Sequence, residues 1–185
     1  CDDRDSRYYA PAAAPAPVVP PAVAARFQEA LAAAERGDAA VAEQAFAAIA
    51  TEAPTFAGAP LNLGVLHARA GRWAEAETAL AEAARRNPQN APAQAQLGLV
   101  YRELGRFGEA EQAYRRALEL DPDNGRTHRN LGVLLDLYLQ QPDQALSHYE
   151  TALSLQGGED KQISAWIAEI RQRVGSPKTA QVQDP

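Results

Sequence analysis

Glycines at 64, 98 and 132 stand 34 residues apart, and three other sets keep the same interval: Gly37, Gly71 and Gly105; Ala42, Ala76 and Ala110; Pro54, Pro88 and Pro122. A fixed period of about 20–50 residues is the signature of a stacked array, whose unit recurs because it cannot bury its own apolar face alone. Each unit here holds two amphipathic helical patterns joined by a turn such as Ala70-Gly71-Arg72 or Leu104-Gly105-Arg106. Units close at Asn87-Pro88 and Asp121-Pro122, because proline disfavours the helical conformation in the residue before it. The period therefore predicts an all-α solenoid of about four helix pairs.

Composition agrees. The chain of 185 residues is 46% hydrophobic, and 41 alanines supply much of that, against 4 Phe and 2 Trp. Alanine and leucine build helices that pack closely, whereas sheets draw on β-branched and aromatic side chains. A net charge of −6 argues against nucleic acid as partner, since that affinity rests on a basic surface. One cysteine leaves no internal disulfide framework and no cysteine-based zinc site. No stretch approaches the roughly 18 apolar residues that a membrane-spanning helix needs.

The repeat resembles the tetratricopeptide repeat (TPR). Its pattern places Leu-Gly in a first helix, a large residue three positions later, Ala and a large residue in a second helix, then Ala and Pro. Residues 57–90 supply Leu63-Gly64, His67, Ala76, Leu80, Ala83 and Pro88, and residues 91–124 supply Leu97-Gly98, Tyr101, Ala110, Tyr114, Ala117 and Pro122. Residues 125–158 begin with Leu131-Gly132, but Ala145, Tyr149 and Ala152 arrive one residue late, which places an added residue around Tyr138 to Pro142. Residues 23–56 keep Gly37, Ala42, Phe46 and Pro54 with Ala30 in place of a glycine, as an N-terminal cap would. The glycines are expected to let Ala76, Ala110 and Ala145 approach the first helix, with Phe46, Leu80, Tyr101 and Tyr114 filling gaps between units. Residues 159–175 read as a capping helix, with Ile163, Trp166, Ile167, Ile170 and Val174 at helical spacing and Trp166 plugging the last unit. Residues 176–185 read as a disordered tail. Trp73 is expected to pack between units.

In the TPR family the first helices line a concave surface, and the sixth residue of each unit points there. That column is Gln28, Asn62, Gln96 and Asn130, a carboxamide at every step. A carboxamide donates to a peptide carbonyl and accepts from a peptide N–H at once, so a ladder of them suits an extended segment of a protein partner; polar residues solvating an open groove are the plain alternative. Arg69, Arg102, Arg126 and Arg129 add positive charge nearby and favour a segment carrying carboxylates. Phe27 and Leu31 stand where the family's chaperone-tail carboxylate clamp needs Lys and Asn, so that partner is not expected.

No nucleophile motif, zinc-protease motif or phosphate-binding glycine loop is present, so no enzyme activity and no small-molecule substrate are expected. His67, His128 and His148 fall in three helices of two units, and a metal shared among them is not expected. Asp121 and Asp123 fall in an inter-unit turn, where helix capping explains them.

The front of the chain bears on location. There is no methionine, and Cys1 is followed by a segment to residue 22 that carries Pro11, Pro15, Pro17, Pro20 and Pro21 among alanines. Such a segment tends to an extended spacer, at about 3.1 Å per residue reaching on the order of 60 Å. Cysteine, spacer and folded domain resemble a mature bacterial lipoprotein, which implies acyl chains on Cys1, the lone cofactor-like group expected, and attachment to a membrane from the periplasm. Asp2 and Asp3 resemble the enterobacterial inner-membrane retention signal, and an outer-membrane location is the alternative. The stretch from Leu134 to Arg173 resembles TPR accessories of TonB–ExbB–ExbD-type energy-transducing systems, and the overall plan also resembles pilotins of type IV or Tad pilus secretins. Both imply an adaptor within an envelope-spanning machine.

Overall fold

Residues 19–175 are described by a computed structural model; Cys1, most of the expected spacer and the tail at 176–185 lie outside the described residues. Among the described residues there are nine helices and no strand: α1 (Pro21–Glu35), α2 (Ala39–Glu52), α3 (Gly58–Arg69), α4 (Trp73–Arg86), α5 (Ala91–Glu103), α6 (Phe107–Leu120), α7 (Gly125–Leu137), α8 (Pro142–Leu155) and α9 (Lys161–Gly175). Consecutive helices pair as hairpins, α1 with α2, α3 with α4, α5 with α6, and α7 with α8. The second helix of each hairpin packs on the first helix of the next, and α9 packs on α8. First helices also touch directly, α3 with α5 and α5 with α7, so they form one continuous face. This is an all-α TPR solenoid with a capping helix. Helix α1 begins at Pro21, two residues inside the span expected as spacer, because proline suits the first helical position, where its missing N–H has no partner to lose.

The turns explain the register. Gly37, Gly71 and Gly105 have φ of 87°, 71° and 74°, the left-handed region that glycine enters without steric cost. In the fourth hairpin Gln140 takes that role with φ 54°. There the Gln141 N–H reaches back to Leu135 O at 2.8 Å, whereas Arg106 N–H reaches Tyr101 O at 2.8 Å in the third. The fourth turn thus spans one residue more, as the late arrival of Ala145, Tyr149 and Ala152 requires.

Two of the first-helix glycines do something other than expected. A Cβ added at Gly98 would lie 2.6 Å from Tyr114 Cδ1, and one at Gly132 would lie 2.7 Å from Tyr149 Cδ1. At these two positions the missing side chain makes room for the ring from the partner helix of the same hairpin; at Gly64 the space is shared by Leu80 Cγ at 2.5 Å and the Ala76 carbonyl oxygen at 3.2 Å, so the expected approach of the alanine backbone is seen there. Tyr114 is fully buried, and burial pushes its phenol well above the ordinary value. In the first unit Ala30 is buried beside Phe46, and the hairpin forms without the glycine.

The cap behaves as a cap. Asp160 Oδ1 accepts from the N–H groups of Gln162 and Ile163 at 2.9 and 3.0 Å, satisfying two donors that a helix start leaves free. Ile163, Ile167 and Ile170 are buried against the fourth hairpin, while Val174, expected on the same stripe, is exposed. Trp73 packs against a core cluster drawn from α3, α4, α5 and α6. At the joint of the first two hairpins, Arg86 donates to the carbonyl oxygens of Ala50, Ala53 and Phe56 at 3.0–3.1 Å, so it closes the C-terminal end of α2.

Candidate functional site

The first-helix face holds an open cleft of about 500 Å³ between α5 and α7, lined in part by Gln96, Leu99, Asp123, Arg126 and Asn130. Its geometry follows from the start of α7. Asn124 Oδ1 accepts from Thr127 N–H at 3.0 Å, as Asn90 Oδ1 accepts from Ala93 N–H at 3.1 Å one unit earlier. These asparagines, 34 residues apart, are the N-caps. The capping expected of Asp121 and Asp123 is thus done by their neighbour; Asp121 instead accepts from the Asn124 side-chain amide at 3.0 Å.

The carboxamide column divides. Gln96 and Asn130 line the cleft together, and neither amide has a protein partner among the described residues. Asn62 turns its amide back to donate to Gly58 O of its own helix at 2.8 Å. Gln28 is exposed on α1. The four arginines divide as well. Arg126 is exposed at the cleft wall and Arg69 is exposed at the end of α3, both without a carboxylate partner among the described residues. Arg102, by contrast, is held by Glu103 at 2.8 Å. Arg129 donates to Gln162 Oε1 at 2.9 Å and lies 5.3 Å from the Trp166 ring centroid, so it serves the cap. The expected positive lane therefore shrinks to Arg69 and Arg126, and Asp121 and Asp123 share the cleft wall with the latter.

Two periodic features escaped the reading of the sequence. Leu31, Val65, Leu99 and Val133 recur every 34 residues, three after each carboxamide, and all four are half-buried. One helical turn separates the two columns, so they share a face, and Leu99 meets Gln96 in the cleft. A branched aliphatic floor beside a carboxamide row is a surface that can take both the side chains and the main chain of a segment. The second feature is a ladder of charge between hairpins. Arg72 donates to Glu43 at 3.0 Å, and Arg106 donates to Glu77 at 2.8 and 2.9 Å. The Arg72 hydrogen bond holds the Glu43 carboxyl below its ordinary range. Glu111 continues the acidic row, but Gln141 stands where the arginine would be. Glu43, Glu77 and Glu111 keep the same interval of 34, and that interval was the available signal.

Comparison with known proteins bears on the repeat and the fold. The sequence model of the tetratricopeptide repeat matches residues 61–125. No curated protein matches the chain. Among solved structures, MamA superposes with a TM-score of 0.71 at 21% identity over 79% of this chain and 84% of that one. A thermophilic TPR protein in Thermus thermophilus gives 0.66 at 27% identity over 81% of each chain. PilF of Pseudomonas aeruginosa gives 0.74 at 24% identity over 83% of this chain and 69% of that one. The tetratricopeptide repeat matched at residues 61–125, the 34-residue period and the stacked hairpins agree on one fold, the tetratricopeptide-repeat solenoid.

Proposed function

We propose that this chain is a lipid-anchored periplasmic adaptor that holds a segment of a partner protein on its first-helix face, within an envelope-spanning machine. The TPR fold itself suggests a scaffold for protein–protein interaction. The observation that carries the proposed site is the cleft between α5 and α7, where the unpaired amides of Gln96 and Asn130 stand beside Leu99 and the free guanidinium of Arg126. Amides that donate and accept together match the main chain of an extended segment. Leu99 adds an apolar contact, and Arg126 favours a carboxylate. The role is one of binding, with no reaction. A TonB–ExbB–ExbD-type system is the preferred machine, on the residue resemblance between Leu134 and Arg173.

Membrane attachment rests on Cys1 and the Pro/Ala-rich residues that follow it. A pilotin-like lipoprotein of a type IV or Tad pilus secretin is the second reading, and the likeness in fold to PilF of Pseudomonas aeruginosa favours it. The test is capture of partners from detergent-solubilised membranes by the acylated chain and by a Gln96→Ala/Asn130→Ala variant. Loss of a TonB-system or secretin component with the variant supports the site and names the machine, whereas equal capture by both forms removes the cleft from consideration. Recovery of the chain in the soluble fraction, with an unmodified Cys1, overturns the anchor.

A further inference from the structure

The fourth hairpin brings together two histidines that the groove does not use. His128 on α7 and His148 on α8 have their Nδ1 atoms 2.9 Å apart, and their ring centroids 5.1 Å apart. The other ring nitrogen of His128, Nε2, lies 2.9 Å from the carbonyl oxygen of Pro122. A carbonyl only accepts, so Nε2 of His128 carries the proton and its Nδ1 presents a lone pair; Nδ1 of His148 then donates to it. The backbone thus fixes both the tautomer and the orientation of His128, which is the arrangement that metal-ligating imidazoles show almost without exception.

We propose that His128 Nδ1 and His148 Nδ1 together form a two-imidazole site for one borderline divalent transition-metal ion, Cu²⁺ or Ni²⁺ foremost. The choice of ion rests on ligand chemistry: imidazole is a ligand that Cu²⁺ and Ni²⁺ both favour, and both stand high in the affinity order of the divalent first-row metals. The observed 2.9 Å, with ring centroids 5.1 Å apart, is the near head-on geometry of the hydrogen bond that the ion displaces, so both rings tilt outward when it binds. The ion replaces the N–H···N bond: the His148 proton passes from Nδ1 to Nε2, both rings stay neutral, and no proton is released.

The surroundings permit a cation. Arg115 on α6 is already matched by Glu111, with Nε and Nη2 at 3.0 and 2.7 Å from Oε1, and it also donates to Gln144 Oε1 at 3.0 Å. Both histidines are half-buried, which leaves the outer coordination positions to water. Among the described residues no cluster of three or more His, Cys, Asp or Glu side chains could hold a metal, so the site rests on two protein ligands and exchanges its ion.

The full chain is titrated with CuCl₂ near pH 7 in a weakly coordinating buffer, with glycine added as a competing chelator, beside the variants His128→Gln, His148→Gln and His67→Gln. The wild type and His67→Gln are expected to bind one more ion than His128→Gln or His148→Gln, with at least tenfold weaker binding at that site in the latter two. Electron spin-echo modulation of the loaded wild type is expected to report two imidazole rings, a measurement that does not depend on how the variants fold. Equal stoichiometry in His148→Gln and wild type, or a signal from fewer than two rings, overturns the proposal.

Discussion

The indole of Trp166 lies against the ring of Tyr149, with centroids 5.2 Å apart and planes inclined by 35°. Arg129 sits over the Trp166 ring, 5.3 Å from its centroid. The helix that ends the array is thus held by an aromatic pair and a cation, on top of the buried isoleucines Ile163, Ile167 and Ile170.

Replacing Trp166 by Ala is expected to lower the unfolding free energy by about 2 kcal/mol, less than for a fully buried indole because this one is half-exposed. Trp166→Phe is expected to keep most of the stability. Urea unfolding followed by circular dichroism measures both, and an unchanged midpoint for the alanine variant removes the cap from its stabilising role.

Gly98→Ala is expected to destabilise by about 1–3 kcal/mol, because the added methyl meets the Tyr114 ring at 2.6 Å in a core that cannot yield freely. Gly108→Ala meets nothing within 4 Å and is expected to stabilise, by up to about 1 kcal/mol, through helix propensity alone. Opposite signs in one melting experiment are the outcome that supports the packing role of the first-helix glycine.

A double-mutant cycle on Glu77 and Arg106 is expected to give a coupling of under about 1 kcal/mol, since both side chains are about one-third exposed and water screens the pair. The coupling should shrink further as salt is raised. Insensitivity to salt would show that packing of Arg106 over the Tyr101 ring, 4.5 Å from its centroid, carries the contact.

Stability is expected to fall as pH drops from near 6.5 toward 4. His148 is held down to about 4 in the folded chain and titrates near 6.5 when unfolded. Between these values the unfolded chain binds a proton that the folded one refuses, so its contribution is complete above the upper value and lost by the lower. His148→Gln is expected to flatten this part of the pH profile, as followed by chemical unfolding at successive pH values.

The number of hairpins, their turns and the cap were legible because they depend on local chemistry repeated along the chain: Gly71 and Gly105 in turns, Pro88 and Pro122 after helices, and isoleucines at helical spacing. The added residue of the fourth unit was legible from the same register. Side-chain direction was not. Arg102 and Arg129 share helix faces with the cleft, yet Glu103 and Trp166 hold them, and no spacing rule foretells which of several partners a long side chain takes. The meeting of His128 with His148 was likewise hidden, because it depends on how α7 and α8 are rotated against each other. The aliphatic column at Leu31, Val65, Leu99 and Val133 was legible in principle and was passed over in favour of the polar one.

One position changes character from joint to joint. His67, Tyr101 and Leu135 occupy equivalent places along the array: the first leaves Nδ1 unsatisfied, 3.9 Å from Glu43, the second lies under Arg106, and the third is fully buried in the largest core cluster. This one position therefore grows drier at each successive joint, in an array whose neighbours hold one another in series. Where that gradient governs opening, heat frees α1 first, and tension drawn through the amino-terminal residues would peel the hairpins off in chain order while the portion around Tyr149 stayed folded longest.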